Sequence, residues 1–332
     1  MSRRAALSVA VVLALAATGC STPADSPSGA AETVTVDSCG QQLSFPSSPG
    51  RVVTLDQSAT ETLLELGLAG RMVGTANLKT KVAPQYQADY AKVPVLNPGK
   101  LTGEQLRAAT PDLVVSAFDA LYTADQVGTR QELAGLGLPS YVSAVDCPEI
   151  GGQGKTPFDL LLADYENLGR IFGIADRAAA LVAAQRGVIE QAALTGQRVQ
   201  GGPSVVWLYS TFKGLPYVAG KGGMPSEMSR LVGARNAFDD VDEQWPEVSW
   251  EQIAQRDPDF IVVGDLSERG SPGDSAEEKI ALMRQDPTVS QLKAVRENRI
   301  IQVPGIEMDP SVRTVNTLRL LAEGMTTLGY AR

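Results

Sequence analysis

The sequence has no histidine. The commonest zinc ligand and the commonest general base are therefore both missing, which excludes His-rich metal sites and serine-histidine catalysis. No Gly-x-Ser-x-Gly elbow offers a hydrolase nucleophile either. Positive charge is in deficit: 29 Lys and Arg stand against 38 Asp and Glu, for a net charge of −9. Duplex affinity rests on cationic contacts to phosphates, so nucleic acid is excluded as a partner. Aromatic residues make up only 5% of the chain, and cysteine occurs three times. The one strongly apolar stretch, Ala5 to Ala17, is too short to span a bilayer. With 332 residues, 43% of them hydrophobic, the chain can still build two modest cores.

What the sequence does contain is a unit that occurs twice. Its first copy is Leu101-Thr-Gly-Glu104-Gln-Leu-Arg-Ala-Ala-Thr-Pro111-Asp112-Leu-Val-Val115, and its second is Val248-Ser-Trp-Glu251-Gln-Ile-Ala-Gln-Arg-Asp-Pro258-Asp259-Phe-Ile-Val262. Thr102 and Ser249 suit helix N-caps, and the Gln three residues on completes a capping box. Pro111 and Pro258 end each helix, because proline disfavours helical geometry in the residue before it. The apolar runs that follow suit parallel strands covered on both faces. Upstream, Arg51-Val-Val-Thr-Leu55 with Thr60-Glu61 and Gly67 parallels Ser204-Val-Val-Trp-Leu208 with Ser226-Glu227 and Gly233. The expected fold class from this repeat is α/β, with two similar lobes built on parallel sheets.

The ordered set of four motifs carries a resemblance. Arg-Val-Val-x-Leu, then x-Thr-Glu-x-Leu-x-x-Leu-Gly, then Glu-Gln-Leu-x4-Pro-Asp-Leu-Val, and late in the chain Ala294-Val-Arg-Glu-Asn-Arg-Ile-Ile-Gln-Val-Pro304, resemble the ferric-siderophore and cobalamin class of ABC-transporter solute-binding proteins. The resemblance covers about residues 33 to 330. It implies a non-enzymatic, monomeric binding protein that captures a ferric siderophore or similar chelate, or alternatively cobalamin, and delivers it to a permease dimer driven by an ATPase. It implies no cofactor and no protein-held metal. It also implies that Glu104 and Glu251, one on each lobe, meet arginines of the permease. Each acid lies in the first turn of its helix, where the helix dipole alone would favour a carboxylate by about 0.3–1 kcal/mol. The resemblance implies two Rossmann-like α/β lobes with parallel sheets, bridged by a single long helix that limits closure, with a ligand cleft between the lobes. Asp176 to Leu194, capped by Asp176, fits that role and spans nearly 30 Å at about 1.5 Å per residue. The missing histidines argue against the zinc and manganese members of the wider group and against His-ligated haem, and leave tyrosine ligation open.

Residues 1–19 are expected to be a lipoprotein signal peptide, with Arg3 and Arg4 ahead of the apolar stretch. Ala17-Thr-Gly-Cys20 resembles a lipobox, so Cys20 is expected to carry the lipid that anchors the protein on the outer face of the cell membrane. Residues 20–32 read as a flexible Ser/Pro/Gly tether, residues 33–157 as the N-terminal lobe, 158–198 as a helical connector, and 199–332 as the C-terminal lobe. Cys39 and Cys147 remain, and in an oxidising compartment a disulfide is the default.

Open α/β sheets bind ligands beyond the carboxyl ends of their strands. On that rule the candidate ligand residues are Gln57, Ser58, Phe118 and Tyr122 in the first lobe, and Tyr209, Lys213, Trp245, Arg269 and Glu307 in the second. Ser58 with Glu61 reads as a further capping box. The second lobe gathers aromatics and cations in its loops, which suits an anionic ligand with a broad apolar face. Trp250, on the first turn of a helix, reads as core, and Lys221 as a weaker candidate on a Gly-rich stretch. Gly151-Gly-Gln-Gly154-Lys155-Thr156 imitates the end of a P-loop, but Glu149 stands where the motif needs glycine and no strand leads into it. Two other classes stay open at this stage: an exported hydrolase, disfavoured by the missing histidine and elbow, and a structural surface lipoprotein.

Overall fold

The computed structural model describes residues 33–150 and 152–331, and the apolar runs become strands in it. A hairpin of β1 (Val34–Ser38) and β2 (Gln41–Phe45) comes first. Then β3 (Val52–Thr54), β4 (Met72–Ala76), β5 (Val95–Asn97), β6 (Leu113–Ser116) and β7 (Ser140–Val142) form a parallel sheet ordered β5-β4-β3-β6-β7. The second sheet contains β8 (Ser204–Phe212), β9 (Leu215–Val218), β10 (Arg235–Asn236), β11 (Phe260–Asp265) and β12 (Ile300–Pro304), ordered β10-β8-β11-β12. Its pairs are parallel except for β9, which turns back antiparallel on β8. Both β6 and β11 are buried almost throughout, as strands covered on both faces must be.

The repeated unit folds the same way twice. Thr102 and Gln105 exchange hydrogen bonds of 3.3 and 3.1 Å across the first turn of Gly103–Ala108. Ser249 and Gln252 do the same, at 3.2 and 2.7 Å, on Trp250–Arg256. The Asp after each proline has a job the sequence did not reveal. Asp112 accepts from the backbone N–H groups of Gly50 and Arg51, both at 2.8 Å. Asp259 accepts from the Ser204 N–H at 2.8 Å. Each carboxylate thus fixes the start of its lobe's central strand, β3 or β8, beside the strand that follows it, β6 or β11.

Two caps differ from expectation. The helix Gln57–Glu65 is capped by Asp56, which accepts from the Ala59 N–H at 2.9 Å. Ser58 therefore lies one position inside the helix, and Glu61 is free for a longer-range contact. The long helix begins at Ala175 with Ile174 at its cap and no side-chain bond there, so Asp176 is a first-turn acid rather than the cap. The chain crosses between the sheets through two helices, Pro157–Phe172 and Ala175–Gly196, broken at Gly173, whose φ of 68° is the left-handed geometry of a helix stop. Thr156 caps the first of them, so the P-loop imitation serves as a helix start.

One apolar cluster runs from Val36 through Tyr165, Ile171 and Val182 to Leu318 and Met325. It joins both sheets along the back through the two crossing helices. Cys39 and Cys147 are bonded, 108 residues apart. In the chain-entropy view a loop of that length contributes about 4–5 kcal/mol. The bridge pins the β1–β2 turn to the segment after β7, where Ser38 also accepts from the Val142 N–H at 2.8 Å. No helix among the described residues is long and apolar enough to cross a membrane. The signal peptide, Cys20 and the tether lie outside the described residues.

Candidate functional site

Each sheet has a point where chain order reverses direction, between β3 and β6 in the first and between β8 and β11 in the second. Connections leave these points on opposite sides, so a crevice opens beyond the strand ends. The two crevices contribute to one cleft of about 550 Å³. Phe118, past the end of β6, and Lys79, past the end of β4, enter it from the first lobe. Tyr209 and Ser210 on β8, Trp245, Arg269 and Asp309 enter from the second, and Phe212 and Tyr217 of the β8–β9 hairpin edge it. Tyr209 and Trp245 lie ring on ring, with centroids 4.7 Å apart and tilted by 43°.

Two of the three cations that line the cleft, Lys79 and Arg269, already have partners, whereas Lys100 is exposed and makes no ion pair among the described residues. Lys79 Nζ lies 3.2 Å from Asp309 Oδ2 and donates to the Tyr209 hydroxyl at 3.1 Å. It also lies 5.6 Å from the Phe118 ring centroid and 5.5 Å from that of Tyr209. Burial alone would lower its pKa, but the Asp309 carboxylate and the Tyr209 oxygen more than reverse this and raise it, so the ammonium is fixed as a charge. Arg269 donates Nε to Asp274 Oδ2 at 2.6 Å and Nη2 to the Ser210 hydroxyl at 2.9 Å. The hydrogen bond to Asp274 raises its pKa. Burial pushes the Tyr209 phenol above its ordinary range, so it stands protonated at neutral pH.

Of the residues chosen from sequence, Phe118, Tyr209, Trp245 and Arg269 line this cleft. The others stand elsewhere, and each placement corrects the expectation that they face it. Tyr122 turns inward after the one-turn helix Asp119–Leu121, and its hydroxyl donates to the carbonyls of Tyr141 at 3.1 Å and Val114 at 3.3 Å. It is a core residue. Gln57 is buried and acts one step back, its Oε1 accepting from the N–H groups of Lys79 and Thr80 at 3.0 and 2.9 Å. It therefore shapes the loop that presents Lys79. Ser58 lines a small interior cavity with Tyr165 and Pro310. Lys213 sits at the hairpin tip over the Phe212 ring, 5.3 Å from its centroid, and Lys221 pairs with Asp242 at 2.7 Å. Trp250, which the sequence suggested as core, is half-buried: it packs against the edge of the second core cluster and donates its indole N–H to the Gly214 carbonyl at 3.1 Å.

Glu307 belongs to a buried cluster between the lobes. Arg313 Nη2 lies 2.9 Å from Glu307 Oε1, and its Nη1 lies 3.3 Å from Glu61 Oε1 across the lobe boundary. Asn316 donates to the second Glu307 oxygen at 2.6 Å. Burial raises the Glu61 pKa, and Arg313 opposes that rise. Sequence reasoning missed Lys79 and Asp309. Both lie past strand ends, so the rule that found Phe118 pointed at their segments but not at these side chains. Glu104 and Glu251 are exposed in the first turns of their capped helices.

The chain belongs to the periplasmic binding protein family, which it matches over residues 52–306. It is a solute-binding protein and not an enzyme. Relatives agree with this. The Cobalamin-binding protein of Halobacterium salinarum is 26% identical over 90% of this chain and 74% of its own length. The uncharacterised ABC transporter substrate-binding lipoprotein YvrC of Bacillus subtilis is 24% identical over 99% of this chain and 96% of its own. Among solved structures, the ABC-type Fe3+-hydroxamate transport system protein of Saccharomonospora viridis superposes with a TM-score of 0.72. It is 26% identical over 88% of this chain and 98% of that one.

Removing one member of a buried ion cluster strands the others. Arg313→Met should therefore cost about 3–5 kcal/mol in urea unfolding at neutral pH. The Glu61 pKa is raised in the folded state, so its contribution to stability is largest at low pH and is lost as pH rises through the folded value. Without Arg313 that loss grows, and the deficit of the variant should shrink as the pH is lowered. A deficit that is small or independent of pH would show that Glu61 and Glu307 are not held by Arg313.

Proposed function

We propose that this protein is the extracytoplasmic substrate-binding component of an ABC importer and that its ligand is a ferric siderophore of low net charge, of the hydroxamate type. One observation carries the reading. Lys79 and Arg269, the two cations enclosed in the cleft, are already neutralised by Asp309 and Asp274, so apart from the exposed Lys100 the cleft offers the aromatic surfaces of Phe118, Tyr209, Trp245 and Tyr217 rather than unpaired positive charge. This revises the sequence expectation of charge recognition by Lys213 and Arg269. A cleft of about 550 Å³ falls in the ordinary range of small-molecule sites. The chain has no histidine, and the Tyr209 phenol is protonated and hydrogen-bonded to Lys79. The iron would therefore arrive with its own full set of donors, and the protein would carry no cofactor of its own.

Cobalamin is the second reading, favoured by the Halobacterium relative. It would enclose only part of that larger molecule. Lipid on Cys20 would hold the protein, as a monomer, at the outer face of the membrane. Glu104 and Glu251 would each engage an arginine of one permease subunit, a charge-assisted contact that can be bidentate.

Tryptophan fluorescence titration with a ferric trihydroxamate, a ferric tricatecholate and cyanocobalamin tests the ligand. The trihydroxamate should bind at least about tenfold more tightly than the trianionic catecholate, a difference of about 1.4 kcal/mol. A preference for the catecholate overturns the charge argument, and binding of cyanocobalamin alone moves the assignment to the second reading. Thermal stabilisation by none of the three would favour a structural surface lipoprotein. Docking is tested separately. Glu104→Arg with Glu251→Arg should abolish uptake in cells while ligand affinity and melting temperature stay within error. Normal uptake by that double variant would leave these acids as helix-terminal charges only.

A further inference from the structure

Lys279 stands on the helix Ala276–Gln285 and is fully buried, 0% exposed. Its ammonium donates to three backbone carbonyls: Tyr209 at 2.7 Å, Gly264 at 2.5 Å and Asp274 at 2.7 Å. Three donors meet three acceptors, so no bond of the group is left unmade. The three carbonyls come from three different segments of the second lobe: β8, β11 and the loop that leads into the lysine's own helix. Two of those segments furnish the cleft. Tyr209 is its central aromatic, and the Asp274 carboxylate holds Arg269 and bonds Ser210. Space there is tight, since a Cβ added at Gly264 would lie 3.0 Å from the Gly305 Cα. An apolar side chain would fill the same volume without the desolvation cost of an ammonium, but it could not draw three carbonyls to one point.

We propose that Lys279 is a positioning residue of the binding cleft, whose ammonium holds the backbone of Tyr209 and Asp274 in the register that presents Tyr209 and Arg269 to the ligand. Its consequence for binding rests on the cleft being the ligand site; the positioning itself does not, and it can be tested without ligand.

The test uses protonation. Burial pushes the Lys279 ammonium down to about 8, against the pull of Asp274. The other charged groups facing it are Arg269 on the preceding one-turn helix, Asp265 at the end of β11 and Glu278 on its own helix. These are carboxylates and a guanidinium, which ordinarily titrate far from 8. A neutral amine keeps two N–H groups for three carbonyls, so one carbonyl is released and the Tyr209 backbone is freed to shift. The global effect has the opposite sign. The folded pKa lies below the unfolded value of about 10.4, so this group makes the fold more stable as pH rises between the two. Partial unfolding therefore does not mimic the local change.

The readout is the ¹⁹F resonance of 5-fluorotryptophan at position 245, assigned by its loss in Trp245→Phe. That indole does not titrate, and it lies 4.7 Å from the Tyr209 ring. The Tyr209 phenol itself is pushed above its ordinary range, clear of the window. In the ligand-free protein the resonance should move through a single step centred at about 8. In Lys279→Met, which can hold none of the three carbonyls, it should lie away from the acidic wild-type position and show no step at any pH. If Lys279→Met does not fold, the wild-type lysine ¹³Cε titration should show one buried lysine sharing that midpoint. A resonance that stays flat between roughly pH 6 and pH 10, a step that survives in Lys279→Met, or a lysine titration with a different midpoint overturns the proposal. Failure of every ligand to bind would count against the function above and leave this result untouched.

Discussion

The structure depends on one half-buried guanidinium set between two buried carboxylates. Arg313 lies between Glu61 of the first lobe and Glu307 of the second, with Glu61 1% and Glu307 5% exposed at their side chains. Two carboxylates and one cation out of water are costly unless every lone pair is met. The cluster meets that demand through Gln57 and the Ala83 N–H on one side and Asn316 on the other. Such a cluster is a poor source of stability against an apolar substitute but a strong constraint on geometry, because any separation strands a charge. It sets how far apart the lobes stand.

Two further contacts follow from that spacing. Lys79 reaches across to Asp309 and Tyr209, and the Lys81 N–H donates to Glu268 at 2.7 Å. Together they give a cleft already assembled, in which the charges of Lys79 and Arg269 are compensated internally and four aromatic rings line much of the remaining surface. A ligand entering such a site gains from broad contact and from the desolvation of rings rather than from ion pairing. The apolar cluster through the two crossing helices holds the lobes at the back, as the ion cluster does nearer the cleft.

What could be read from sequence was what is local. Thr102 with Gln105 and Ser249 with Gln252 lie three residues apart, so their reciprocal caps follow from chain geometry alone. The two apolar runs after Pro111 and Pro258 declared two similar sheets for the same reason. Phe118 and Tyr122 show where locality ends. Both follow β6, but the helical turn Asp119–Leu121 sends Phe118 to the cleft and rotates Tyr122 into the core, where two carbonyls await its hydroxyl. Ser58 lost the cap to Asp56, whose carboxylate also accepts from Ser116 and the Ala117 N–H, a tertiary demand invisible in the local pattern. Lys79 with Asp309, and Glu61 with Arg313, are separated by most of the chain, and no spacing rule connects them. Lys279 reads as an ordinary lysine on an amphipathic helix until three carbonyls are seen around it.

The ion cluster and the cross-lobe contacts hold the lobes at one spacing before any ligand arrives. Pulsed electron paramagnetic resonance between spin labels at Ala108 and Glu277, both exposed and one on each lobe, measures that spacing directly. One narrow distance population is expected in the ligand-free protein and a broadened one in Arg313→Met. Two populations, or a broad distribution, in the ligand-free wild type would contradict it.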